Sequence, residues 1–201
     1  LLVIKNGSEK LKCCPPHDMI QVDYKEALVK ALVPQAQKTA DLINWLIEES
    51  RELLKHHPVN TERRKKGHDP ANSIWPWSPG KKPNMPVFKE LFGLQGAVIS
   101  AVDLIKGIGI CAGMRVVEVK GATGLYNTNY EGKARAAIES LRINDLVYLH
   151  VEASDEAGHE GDIPLKIKTI EYLDQRIVKT ILERLNQIED DVTVAILPDH
   201  P

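Results

Sequence analysis

The sequence predicts an α/β protein with a parallel, helix-covered sheet, and two observations carry that prediction. From residue 87 onward, short apolar runs alternate with amphipathic stretches of helical period, the pattern of strands joined by crossover helices. Ahead of that point the texture differs, with a proline-, glycine- and lysine-rich connector over residues 58–86. The boundary is placed near residue 87, giving segments 1–86 and 87–201. A chain of 201 residues is long enough for one large α/β domain or two small ones, each with a real core.

Taken in order, the apolar run over residues 1–4 predicts a strand that ends in a turn at Asn6-Gly7. "CCPPHD" is a proline-stiffened loop, because each proline fixes its own φ and keeps its predecessor out of the helical region. Over residues 35–56, Ala36, Ala40, Ile43, Leu46, Ile47, Leu53 and Leu54 recur at helical spacing. His56 and His57 close that helix, where the dipole favours a cation. Within the connector, residues 73–77 form a candidate short strand, and "RRKK" reads as a solvated run. In a phosphate-handling protein the same run would steer an anionic substrate.

The second segment predicts strand 97–100, helix 102–111, strand 116–119 and helix 132–141. Strand 146–151, helix 164–185 and strand 192–197 follow. No internal repeat is visible.

Composition excludes several function classes. Twenty-six basic residues nearly balance 28 acidic ones, for a net charge of −2, so there is no electrostatic case for nucleic acid or an anionic membrane. No apolar run approaches the roughly 20 residues needed to span a bilayer. Three cysteines, two of them adjacent, do not make a disulfide framework, which points to a reducing cytoplasm. The chain begins and stops flush against apolar stretches, the expectation for a piece of a longer protein. Nothing in the sequence specifies an oligomeric state.

The densest chemistry is "HVEASDEAGHEGD", residues 150–162. The strand "LVYLHV" leads into Asp155-x-x-x-His159, and the strand "VTVAIL" leads into Pro198-Asp199-His200. The helix between them is long enough for a crossover, so the two strands are expected to lie parallel and close in one sheet. Ligands of open α/β sheets bind beyond the strands' C-terminal edge, which would carry both carboxylate–imidazole pairs to one rim. Mixed Asp/His donors suit manganese or zinc better than calcium, and Gly158 and Gly161 would let the backbone bend around an ion. The bland alternative is an Asp155 that caps a turn, a solvated His159 and an Asp199-His200 loop dipeptide. Catalytic metal sites supply about three protein ligands per ion, so further ligands are expected elsewhere.

Other candidates carry less. Gly107-Ile-Gly109-Ile-Cys-Ala112 matches the dinucleotide fingerprint in letters, but Asp103 and Lys106 interrupt the strand that should precede it. "GATG" and "YNTNYEGK" form a Gly/Asn/Thr-rich loop on the same expected rim, suited to substrate contact or to a plain turn. Trp75 and Trp77 are expected to pack. No G-x-S-x-G elbow is present.

With these residues in view, the chain resembles the archaeal-type cofactor-independent phosphoglycerate mutases of the alkaline-phosphatase-like metalloenzyme superfamily. The resemblance is carried by "PPHD", "HPVN", Pro70–Trp75, "GAVISAVDLIKGIG", "GATG…TNYEGK", "VEASDEAGHEGD" and "ILPDHP". It implies part of a parallel-sheet alkaline-phosphatase-like core over 87–201. Residues 1–86 would form part of an inserted α/β substrate domain. It also implies interconversion of 2- and 3-phosphoglycerate in glycolysis and gluconeogenesis through a phosphoserine intermediate. Two divalent ions are implied, manganese first, with zinc, cobalt or magnesium as alternatives. Asp155 and His159 would ligate one ion, and Asp199 and His200 the other. Lys106 resembles the lysine that stabilises phosphoryl transfer, and His17, Asp18 and Arg63 fall where the substrate is clamped. The family's nucleophilic serine precedes the inserted domain and has no counterpart in this chain. The 201 residues alone are therefore expected to lack mutase activity.

Three readings follow. The first is a segment of a metal-dependent phosphoglycerate mutase, and the second a phosphatase or phosphotransferase of the same superfamily. The third is a non-catalytic α/β binding module whose acidic loop contacts a partner.

Overall fold

The computed structural model describes residues 1–16, 19, 21–186 and 188–198. The chain divides into two compact units, Leu1–Lys82 and Pro83–Pro201.

In the first unit, strands β1 (Leu11–Lys12) and β2 (Lys30–Ala31) pair antiparallel. A 3₁₀ turn at Pro34–Ala36 feeds helix α1, Gln37–Lys55. The helix buries Thr39, Ala40, Ile43 and Ile47, residues three and four apart that share one face. That face packs with Leu11, Val29 and Ala36, and Trp75 leans on the cluster while its indole N–H donates to the Cys14 carbonyl at 2.9 Å. The predicted strand over residues 1–4 does not form: Leu1 and Val3 are exposed, and only Ile4 packs against the core. A short apolar run becomes a strand only where a neighbouring strand takes up its backbone groups. The candidate strand over 73–77 is likewise irregular.

The connector holds a helix that its composition concealed. Helix α2 (Pro58–Lys65) starts with Pro58, which is pre-organised for a first turn, and His57 caps it by accepting from the Val59 N–H at Nδ1, 3.3 Å. Arg63, Arg64 and Lys65 therefore occupy the last turn of a helix, where the dipole favours them, and are not part of a loop. Asn60 is buried and ties the segment together: its Nδ2 donates to the Leu54 and Ala71 carbonyls, both at 2.7 Å, and its Oδ1 accepts from the Ala71 N–H.

The second unit contains the predicted parallel sheet. Its strands are β3 (Gly96–Ile99), β4 (Arg115–Val116) and β5 (Leu146–Leu149), in the order β4-β3-β5, all parallel. β3 lies centrally and is buried at every position, as a strand covered on both faces must be. Helix α3 (Phe88–Phe92) precedes it, α4 (Asp103–Cys111) connects β3 to β4, and α5 (Tyr130–Leu141) connects β4 to β5. Beyond β5 come α6 (Ala153–His159), α7 (Ile163–Tyr172), a π-helical turn Leu173–Val178 and α8 (Lys179–Leu185). Tyr130, Ala134, Ala153 and Ile177 form the buried cluster that joins α5, α6 and the π turn. Arg176 of that turn clamps α5 with two bonds to Glu131, 2.6 and 2.9 Å, and its guanidinium stacks on Tyr130 and Tyr172.

Two expectations fail in this unit. The β4 ladder stops at Val116 rather than running to residue 119, with one further bond from the Val117 N–H to the Val98 carbonyl. Residues 192–197 are irregular, with Ile196 and Leu197 exposed, so no second strand follows the long helix into the sheet among the described residues. A Val/Ile-rich run reports fitness for a pleated, half-buried surface, not that such a surface is at hand.

Candidate metal and phosphoryl site

Because β4, β3 and β5 are parallel, their C-terminal ends share one edge. Ser100, at the end of β3, is buried and accepts the Val102 N–H, and its hydroxyl lies 3.4 Å from His150 Nδ1 at the end of β5. Three connections leave this edge: α4 after β3, the Gly/Thr loop after β4, and α6 after β5.

The sequence expectation for residues 155–159 was a glycine-bent loop. The structure instead makes them part of α6, with Asp155 and Glu156 in the first turn, where the helix dipole favours carboxylates. The four-residue spacing then places Asp155 and His159 on one face, and Nε2 approaches Oδ2 to 3.4 Å. A carboxylate oxygen and an imidazole nitrogen converge there, with the imidazole exposed and the carboxyl half-buried. Carboxylate oxygens of Glu152, Asp155 and Glu156 also lie within 4.8 Å of one another. The donor set, mixed nitrogen and oxygen, fits a divalent transition ion.

Lys106 projects from α4 on the β4 side of β3, whereas α6 follows β5 on the other side. Its ammonium is mostly buried and engaged by Glu118 at 3.2 Å and Asp103 at 3.9 Å. Arg63 belongs to the first unit and donates from Nε to the Asp69 carbonyl. His17, Asp18, Asp199 and His200 lie outside the described residues, so Asp155 and His159 are the members of the expected ligand set whose geometry is on view.

The loop after β4 holds itself in shape. Thr128 Oγ1 accepts the Thr123 N–H, Asn129 Nδ2 donates to the Lys120 carbonyl, and Asn129 caps α5 through Gly132. Gly121 takes φ +78°, a conformation that favours glycine.

One residue of this edge was not singled out from the sequence. Lys133 is 1% exposed, and its Nζ lies 3.5 Å from the carbonyls of both Thr123 and His150. Burial lowers its pKa to about 8, opposed by the nearby Glu152 carboxylate. The signal was present: Lys133 falls on the same helical face as Tyr130, Ala134 and Ala137, all buried.

Of the Gly107/Gly109 pair, Gly109 has a packing role. Both lie inside α4, and a β-carbon at Gly109 would stand 2.8 Å from Val98 Cγ2 of the central strand. A cleft of about 250 Å³ opens at the opposite end of the sheet, between Gly96, Arg115 and Asn144. It lies where the strands begin, the edge that open parallel sheets do not use for ligands, and is assigned no role.

A family model described as the metalloenzyme superfamily matches residues 25–201. The 2,3-bisphosphoglycerate-independent phosphoglycerate mutase of Methanosarcina mazei is 50% identical over 196 residues, covering 98% of this chain and 48% of the relative. The chain thus spans about half the length of the curated relatives it matches. Among solved structures, a protein of Pyrococcus horikoshii superposes with a TM-score of 0.63 at 36% identity, covering 75% of this chain and 39% of that one. The cofactor-independent phosphoglycerate mutase of Thermoplasma acidophilum gives 0.51 at 30%, covering 91% and 45%.

Proposed function

Since the chain belongs to the metalloenzyme superfamily, we propose that the protein carrying it interconverts 2- and 3-phosphoglycerate with the help of two divalent ions, manganese foremost. The observation that supports this most is the convergence of Asp155 and His159 on one face of α6, just beyond a parallel strand's C-terminal end. It sits inside a chain half identical to a protein named for that reaction.

In this reading Asp155 and His159 hold one ion, and Asp199 and His200 hold the other. The ions, when bound, activate a hydroxyl nucleophile and neutralise the phosphoryl group's charge. Lys106 serves the same phosphoryl group. Its ammonium already pairs with Glu118 and Asp103, so the anionic substrate takes over a cation that the resting protein keeps occupied. Arg63, His17 and Asp18 belong to the substrate side, where an arginine's planar fork suits a phosphate. The Pro83–Pro201 unit then carries metal chemistry, and the Leu1–Lys82 unit carries glycerate recognition. A cytoplasmic setting agrees with three free cysteines.

The test is phosphorus NMR of the complete gene product with manganese and 3-phosphoglycerate. The 2-phosphoglycerate resonance should grow without free phosphate. Growth of inorganic phosphate alone would replace the mutase by a phosphatase, and no change in either signal would leave a non-catalytic module.

A further inference from the structure

We propose that Lys133 is a positioning residue for the phosphoryl-transfer site, its buried ammonium tying the loop after β4 to the turn after β5 and thereby fixing where α6 begins. The inference rests on the mutase reading for its link to activity, and on the structure alone for the tether.

Three segments meet at this ammonium. The Thr123 carbonyl belongs to the Gly/Thr loop, and the His150 carbonyl ends β5. Glu152, the residue before α6, acts on the ammonium as an opposite charge. Glu152 also touches the loop, because a β-carbon on Gly124 would stand 2.9 Å from Glu152 Oε2. Glu152 is the N-cap of α6, and Asp155 lies in the first turn that follows. A shift of this cap therefore moves the carboxylate proposed to hold metal.

Energetics argue that the lysine is kept for position and not for stability. A buried ammonium loses its hydration, which destabilises the fold unless the charge is well paired. Here both carbonyl contacts are long, at 3.5 Å. The neighbours on its helix face, Ala134, Ala137 and Ile138, show what fills such a stripe when stability alone decides. An apolar side chain of similar length would pack in the same space but could not hold two carbonyls and a carboxylate together.

The experiment compares the complete gene product with K133M and G124A. In K133M we expect a melting temperature equal to or above wild type, a kcat at least tenfold lower and a KM within threefold. Amide exchange over residues 150–156, measured without metal, should rise at least threefold. G124A leaves Lys133 in place and displaces only the end of the flexible Glu152 side chain, so it should reproduce the kcat loss and faster exchange. A folded K133M with wild-type kcat and exchange overturns the proposal. Should K133M not fold, the same wild-type values in G124A overturn it. If the unmutated protein shows no turnover, faster exchange in the variants upholds the tether while the mutase reading falls. Unchanged exchange then sinks both.

Discussion

Replacing the two glycines of α4 one at a time should move stability in opposite directions. An interior glycine costs a helix about 0.8–1 kcal/mol relative to alanine, so each substitution starts with a gain of that order. At Gly107 nothing lies within 4 Å of the new methyl group, and the gain stands. At Gly109 the methyl would meet Val98 Cγ2 at 2.8 Å and Val98 Cβ at 3.2 Å. Val98 is a β-branched residue in the buried central strand and cannot swing aside. Overpacking of this kind costs roughly 1–3 kcal/mol, which exceeds the helix gain and leaves G109A about 1 kcal/mol below wild type. The two variants should differ by about 2 kcal/mol, or very roughly 6–12 °C in melting temperature for a unit of this size. Urea denaturation of both proteins measures the difference. If G109A is as stable as G107A, α4 does not lie against β3 as described.

Further outcomes follow from other contacts. N60A should lose roughly 3 kcal/mol, because two carbonyls and one N–H around a buried amide lose their partner; urea titration reads the loss. R176M should cost about 1–2 kcal/mol, discounted for a half-exposed pair. Arg176's hydrogen bonds hold the Glu131 carboxyl below its usual 4.5, so that contribution is full above pH 4.5 and disappears as acid titrates Glu131. The wild-type advantage over R176M should accordingly shrink in acid to what stacking on Tyr130 and Tyr172 contributes. Lys133 moves stability in the same direction with pH, through a penalty on its buried charged form: with a folded pKa near 8 against 10.5 unfolded, the unfolded chain binds more protons between those values. Wild-type stability should rise relative to K133M from pH 8 to 10.5, by on the order of 3 kcal/mol at most. A pH-independent difference would show that the ammonium is not desolvated.

The parts of the fold legible in the sequence are those decided locally. Helix α1 and the alternation from Gly96 to Leu149 follow from apolar spacing, which the structure keeps. Helix α2 was hidden because proline and a run of basic residues resemble a linker, although Pro58 at a first turn and basic residues at a last turn are helix signals. Residues 1–4 and 192–197 look like strands because β-branched and aliphatic residues favour strands, but pairing depends on distant chain that local sequence does not reveal. At the site, the glycines near Asp155 and His159 suggest a bend, whereas the segment is helical. The helix turns the Asp155–His159 spacing into proximity. Lys133 was missed because its burial depends on a loop and a strand end that only the tertiary fold brings together.

The proposed chemistry depends most on Asp155 and His159 acting as a metal-holding pair. Manganese binding to the complete gene product, followed by the loss of the free-ion EPR signal, tests this directly. D155A and H159A should each weaken binding at least tenfold. Wild-type affinity in both D155A and H159A would contradict a metal-holding role for this pair.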